Sequence, residues 1–168
     1  MANGIFAGSF DPFTVGHLYI VQVASELFEK LIICIATNPY KKERAFEKEG
    51  MKQAIEEALK AENITNCEVI CYEGEIIDLA KEVNAKYVVR GMRSEGDFVY
   101  EQKLAGEYYK GGLETIYASS GSYVKTIDLS QVSSSLVRDK IQKNEPISQY
   151  VPKAVEEFIL RQRKIKRK

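Results

Sequence analysis

The stretch Gly4-Ile5-Phe6-Ala7-Gly8-Ser9-Phe10-Asp11-Pro12-Phe13-Thr14-Val15-Gly16-His17 changes pattern twice in a short span. Gly4 to Ala7 is a mostly apolar run ending in Gly8, as expected of a buried strand, and Ser9 to Phe13 reads as a tight loop. Thr14 follows as an N-cap. Beyond it Ile20, Val23, Ala24, Leu27 and Phe28 recur at helical spacing, which places His17 in the first helical turn. A buried strand that passes through a tight loop into a helix is the opening unit of a parallel α/β sheet.

Working outward, the alternation repeats. Leu31 to Ala36 predicts a second strand, and the loop Asn38-Pro39-Tyr40-Lys41-Lys42 precedes a polar helix carrying Met51, Ile55 and Leu59. Glu68 to Cys71 predicts a third strand. Ile76, Ile77, Leu79, Ala80 and Val83 predict a helix, and Tyr87-Val88-Val89 a strand that stops at Arg90-Gly91. The last third is less regular, with a helix over Asp97 to Tyr109, a strand at Thr115 to Tyr117 and a Ser/Gly loop at Ser119 to Ser122. One closing helix starts near Ser133. The other follows Pro152 and leads into a basic tail, Arg161 to Lys168, expected to be disordered and solvated. The pattern predicts a single α/β domain over residues 1–160, a Rossmann-like, doubly wound parallel sheet with helices on both faces. Such sheets bind ligands outside the carboxyl ends of their strands, which singles out the loops at Gly8 to His17, Asn38 to Lys42 and Arg90 to Arg93.

The chain has 168 residues, and its 24 basic side chains balance its 24 acidic ones. It therefore has no overall field to hold nucleic acid or an anionic membrane, and any anion site must be local. Cys34, Cys67 and Cys71 are odd in number and lie in or beside apolar runs, where cysteine serves as a small hydrophobe; a cytoplasmic compartment is expected. No leader-like segment opens the sequence, and the longest apolar run is too short to span a bilayer.

His17 is the only histidine. Taken alone, a histidine at a helix start closes a turn more often than it catalyses. The neighbouring Gly8 and Gly16, which let the backbone approach a ligand, and the Ser9 hydroxyl reverse that preference, because a helix start also offers free N–H groups to a phosphate. Neither the dinucleotide Gly-x-Gly-x-x-Gly turn nor a P-loop is present. Arg90 follows apolar strand residues at the place where a parallel sheet presents ligand groups. By themselves, Lys41, Lys42 and Arg44 read as a solvated loop and Ser133-Ser134-Ser135 as a helix cap.

Gly8 to His17 is similar to the signature of the nucleotidyltransferases with a threonine- or histidine-x-glycine-histidine motif. Arg90-Gly91-Met92-Arg93, with Asp97-Phe98-Val99-Tyr100-Glu101 and Leu104-Ala105, resembles the phosphopantetheine adenylyltransferase family within them. Asn38 to Lys42 and Ser133 to Arg138 match the same family, in the right order. The resemblance implies adenylyl transfer from ATP to 4'-phosphopantetheine, with Mg2+ carried on the ATP, and a homo-oligomer, a hexamer in that family. It also implies His17, Lys41 and Arg90 as catalytic residues. ATP would meet Ser9, Phe10, His17, Gly91, Arg93, Glu101, Ser133, Ser134 and Ser135. The acceptor would meet Ser9, Lys41, Ile76 and Arg90. Glu75, Glu107 and Tyr108 depart from the family's pattern around the acceptor. A carboxylate beside an amide-bearing arm costs desolvation, so with phosphopantetheine as acceptor Glu75 and Glu107 must turn to solvent or pair with a lysine such as Lys103 or Lys110, whereas unpaired in the pocket they would favour a cationic or hydroxyl-rich acceptor. A sister nucleotidyltransferase with another phosphorylated acceptor or with CTP, and a nucleotide-binding domain without turnover, are the alternatives.

Overall fold

The computed structural model describes residues 2–37, 43–119, 123–124 and 127–166. Five parallel strands form one sheet: β1 (Asn3–Gly8), β2 (Leu31–Ala36), β3 (Cys67–Tyr72), β4 (Ala85–Met92) and β5 (Glu114–Ser119). Their order is β3-β2-β1-β4-β5, so the chain winds outward from β1 to β3 and then crosses back to build β4 and β5 on the other side. The switch point lies between β1 and β4, the predicted place for a ligand.

Side chains alternate across the sheet with a period of two, and each face carries its own core. Phe6, Leu31, Ile33, Ile35 and Val89 pack on one face with α1 (Val15–Ser25), α2 (Lys48–Ala61), α5 (Ser134–Gln142) and α6 (Lys153–Lys166). Ile5, Ala7, Ile32, Cys34 and Val88 pack on the other with α3 (Ile76–Glu82) and α4 (Glu95–Lys110). The two layers of helices over one parallel sheet are the single α/β domain that the alternation of strands and helices predicts. Cys34, Cys67 and Cys71 are free thiols; burial pushes the Cys34 thiol up to about 12, so it packs as an apolar side chain.

Three boundaries differ from the sequence reading. Helix α1 ends at Ser25, leaving Leu27 past its end at 54% exposure although it fits the helical period. Strand β4 runs on through Arg90 to Met92, because β5 continues to supply partners as far as Met92 opposite Ser119. Helix α6 continues through Lys166 rather than giving way to a disordered tail from Arg161. Val155 and Ile159 anchor it in the core, and Arg163 donates to the Ile141 carbonyl and to Asn144 Oδ1. A short antiparallel pair, β6 (Tyr123–Val124) and β7 (Ile127–Asp128), occupies part of the stretch before α5. Most of the expected Ser119 to Ser122 loop and the whole Asn38 to Lys42 loop lie outside the described residues.

Candidate active site

A cavity of about 510 Å³ opens at the carboxyl end of the sheet, over the switch point. Its floor is the end of β1 and the loop that follows. Phe10 holds the left-handed backbone with φ of 43°, and its ring is buried among Phe6, Phe13 and His17 at centroid distances of 5.0 to 5.4 Å. Gly8 makes room for that ring, since a Cβ there would come within 3.0 Å of it. Side chains from elsewhere hold the loop by its carbonyls: Arg44 donates to Ser9 O at 2.6 Å, Arg138 to Asp11 O at 2.6 Å, and Ser134 to Pro12 O at 2.8 Å. The Asp11 carboxylate returns the contact by accepting from the amides of Ala45 and Phe46. The strand-to-helix connection thus enters α1 with its backbone fixed.

Thr14 caps α1 as predicted, and His17 is the other half of a reciprocal capping box. The Thr14 side chain accepts from the His17 amide, while His17 Nδ1 accepts from the Thr14 amide at 3.0 Å. Because Nδ1 acts as acceptor, the ring proton is on Nε2. Burial, with the positive charge of Arg93 nearby, pushes the imidazole down from 6.5 to about 4. At neutral pH His17 is therefore a fixed, uncharged donor, and it lines the cavity.

Arg90 lines the same cavity from β4. Glu101 of α4 grips it with both oxygens, at 3.0 Å to Nε and 2.9 Å to Nη2, and Nη1 donates to the Ala7 carbonyl at 3.1 Å. Glu101, which the resemblance places at the nucleotide, is 6% exposed and lies against Arg90. Both of its oxygens accept from the arginine fork. Arg93 lies just past β4, half-exposed, with Nε near Asp97 and Nη1 donating to Val132 O.

The far wall is the start of α5. Ser133 is its N-cap, with Oγ accepting from the Leu136 amide, and Ser133, Ser134 and Ser135 all line the cavity. Two helix starts, α1 and α5, therefore meet over one space together with Arg90, Arg93 and Arg138. No carboxylate lines it among the described residues. In a chain of zero net charge, this concentrates positive potential at one place, as an anion requires. The opposite end of the cavity is less polar, walled by Ile76, Leu104, Tyr100 and Tyr108. Glu75 and Glu107 are exposed and do not line it. Of the predicted site residues, Ser9, Phe10, His17, Ile76, Arg90, Gly91, Arg93 and Ser133 to Ser135 come together here. Lys41 lies outside the described residues.

The model of the cytidylyltransferase-like family matches residues 5–140. Curated relatives named phosphopantetheine adenylyltransferase align along nearly the whole chain. The one from Helicobacter pylori is 37% identical over 93% of this chain and 96% of its own length. The one from Flavobacterium psychrophilum is 38% identical over 92% and 98%. The chain belongs to the phosphopantetheine adenylyltransferase family. A Streptococcus pneumoniae member is 37% identical over 96% of both chains, so the match reaches into α6. A crystal structure from Vibrio parahaemolyticus, described provisionally as a nicotinate-nucleotide adenylyltransferase, shares the fold with a TM-score of 0.69 at 16% identity, over 96% of this chain and 93% of that one.

Several residues that shape this family member's cavity escape the sequence reading. Arg44, read as part of a solvated loop, has a side chain only 19% exposed and holds the loop after β1. It follows the charged run Lys41-Lys42-Glu43, and nothing local marks it. Thr37, Leu129, Val132 and Arg138 also line the cavity. Thr37 lies just past the end of β2, and the other three are brought there by packing of α5 and its approach segment, which short-range pattern does not report.

Proposed function

We propose that this chain transfers the adenylyl group of ATP to 4'-phosphopantetheine, giving dephospho-coenzyme A and pyrophosphate. The observation that carries this reading is the cavity itself. Three arginines, two helix starts and a neutral Nε2–H donor surround one polar space with no carboxylate in its wall among the described residues, and a less polar arm leads away toward Ile76 and Leu104. An acceptor with one phosphate and a long, weakly polar arm fits those two ends. The curated relatives supply the name of that acceptor.

In the proposed reaction an oxygen of the acceptor phosphate attacks the α-phosphorus of ATP in line. The bond to the β-phosphate oxygen breaks, and pyrophosphate leaves. A phosphate monoester with a second pKa of about 6 is already anionic at neutral pH, so no general base is required. The protein's work is alignment and charge neutralisation. His17 steadies the α-phosphoryl oxygens through Nε2–H. Ser9, Lys41 and Arg90 hold the acceptor phosphate. Arg93 and the amides at the start of α5, with Ser133 to Ser135, take the outer phosphates, while Phe10 and Gly91 border the nucleotide. Ile76, Leu104 and Tyr108 wall the acceptor's arm. With Glu75 and Glu107 turned to solvent, no unpaired carboxylate opposes that arm. Among the described residues the cavity wall is rich in arginine and serine and carries no carboxylate set, which fits magnesium arriving as the counter-ion of the ATP substrate.

A homo-oligomer, a hexamer by family resemblance, belongs to the same proposal. Phe98, Val99, Tyr100 and Tyr109 of α4 are large, apolar or aromatic and exposed, which supports a covered face. Free, buried or half-buried thiols support a cytoplasmic setting. Among the described residues, no helix is long and apolar enough to cross a membrane.

Calorimetric titration tests the acceptor. Phosphopantetheine and dephospho-coenzyme A should both bind. Failure of both to bind at millimolar concentration, in protein that still binds ATP, rejects the named acceptor.

A further inference from the structure

We infer that Arg44 is a positioning residue for the phosphate site: it holds the carbonyls of Ser9 and Phe10 and so keeps those two peptides from flipping at the cavity wall. The inference rests on the reading of the cavity as the place where ATP meets its acceptor. Ser9 and Phe10 line that cavity at the end of β1. Arg44 reaches them from the segment before α2, with Nη1 donating to Ser9 O at 2.6 Å and Nη2 to Phe10 O at 3.4 Å. A planar trans peptide carries its C=O and its N–H on opposite edges. A guanidinium that takes two consecutive carbonyls therefore sends the amides of Phe10 and Asp11 away from itself.

That arrangement needs a holder. Phe10 has φ of 43°, in the left-handed region that residues other than glycine occupy only where the surroundings impose it. A flip of the Ser9–Phe10 peptide would relieve that angle and set a carbonyl oxygen where an N–H had been. In a wall that otherwise gathers arginines, serine hydroxyls and helix starts, the partial negative charge of that oxygen would repel a phosphate. The next two carbonyls, of Asp11 and Pro12, are held by Arg138 and Ser134 of α5, so side chains take four in succession. Arg44 supplies the pair that belongs to the cavity-lining Ser9 and Phe10. It is fixed in its turn, since Nε donates to Phe46 O at 3.1 Å and the Asp11 carboxylate lies 3.8 Å from Nη2. The same carboxylate accepts from the amides of Ala45 and Phe46. Charge alone would not serve. A lysine carries the same charge, but its single ammonium cannot reproduce a planar fork that spans Phe46, Ser9 and Phe10.

Wild type, Arg44→Lys and Arg44→Ala test the inference through steady-state kinetics with each substrate varied, calorimetric titration of ATP, and the imidazole NMR signal of His17. His17 is the only histidine, and its ring meets the Phe10 ring edge-on at 5.0 Å, so it reports on the loop without any substrate. Arg44→Lys keeps the charge and guards against a folding defect in Arg44→Ala. It should lower kcat/KM for both substrates by about 10-fold to 100-fold and weaken ATP binding by about 10-fold. Its His17 signal should move from the wild-type position while the protein still melts cooperatively. A residue that merely stabilised the fold would lower the melting temperature and leave that signal in place wherever the variant is folded. Wild-type kinetics and ATP affinity in Arg44→Lys would assign the effect to charge and overturn the inference, as would an unmoved His17 signal in both variants. If wild type itself forms no dephospho-coenzyme A, the reading of the reaction fails first. ATP titration and the His17 signal need no acceptor, so they still decide the role of Arg44.

Discussion

Lowering the pH from 7.5 to 4.5 perturbs one side chain whose signal is unambiguous, because His17 is the only histidine. Burial first, and then the charge of Arg93, holds its imidazole at about 4 in place of 6.5. A protonated ring could not accept the Thr14 amide at Nδ1, so protonation also breaks the capping box. Since folding lowers this pKa, the unfolded chain binds the proton more readily between pH 6.5 and 4. The contribution to stability is fully present above pH 6.5 and is lost as pH falls through 4. A gap of about 2.5 pH units at 1.36 kcal/mol each gives about 3 kcal/mol as an upper bound, reduced to about 2 kcal/mol because the ring borders a cavity that water can enter. Two measurements check this. Imidazole NMR should show one neutral ring, protonated on Nε2, persisting below pH 5.5. Denaturant unfolding of wild type and His17→Gln should give a stability difference that is flat above pH 6.5 and shrinks below it, with carboxylate titration cancelling between the two. A histidine signal that titrates near 6.5, with parallel stability curves, would refute the buried neutral donor. Turnover should fall near pH 6 in both proteins, because the acceptor phosphate itself takes up a proton there.

Other consequences are as specific. Replacing His17 by alanine should lower kcat on the order of 10² to 10³ with little change in KM for ATP, measured by steady-state kinetics; weak ATP binding with normal turnover would make it a ground-state ligand. Arg90→Ala and Lys41→Ala should each raise the acceptor's KM and lower kcat, read in the same assay with acceptor varied. Gly50→Ala, which in an exposed helix would stabilise by about 1 kcal/mol, should instead destabilise by about 1 to 2 kcal/mol in thermal or denaturant melts, because its Cβ would lie 2.3 Å from the Phe158 ring of α6.

Much of this was legible in the sequence because it is local. The β1 strand, the Thr14 cap and the position of His17 all follow from adjacent residues, and the bounds of β2 coincide with its apolar run. What escaped depends on partners far along the chain. Strand β4 outlasts its apolar core because β5 pairs with Arg90, Gly91 and Met92. Leu27 keeps the helical period yet lies past the end of α1, at Glu26, where the helix cap forms. Arg44 is ordered by carbonyls of Ser9 and Phe10 that the chain brings to it from the far side of β2. Glu101 is assigned to the nucleotide by resemblance alone, and its pairing with Arg90 emerges only when the fold sets α4 against β4. Helix α6 past Arg161 looks solvated by charge alone, whereas its register is set by Val155 and Ile159 against α2.

The central claim is adenylyl transfer to phosphopantetheine, and pyrophosphate release tests it most directly. Purified protein should be given ATP or CTP with each of phosphopantetheine, nicotinamide mononucleotide, pantothenate and glycerol phosphate. The account predicts pyrophosphate with ATP and phosphopantetheine, at a rate far above every other pair, and dephospho-coenzyme A as the co-product. Release with CTP or with another acceptor in place of that pair, or no release from any pair by protein that binds ATP, would contradict it.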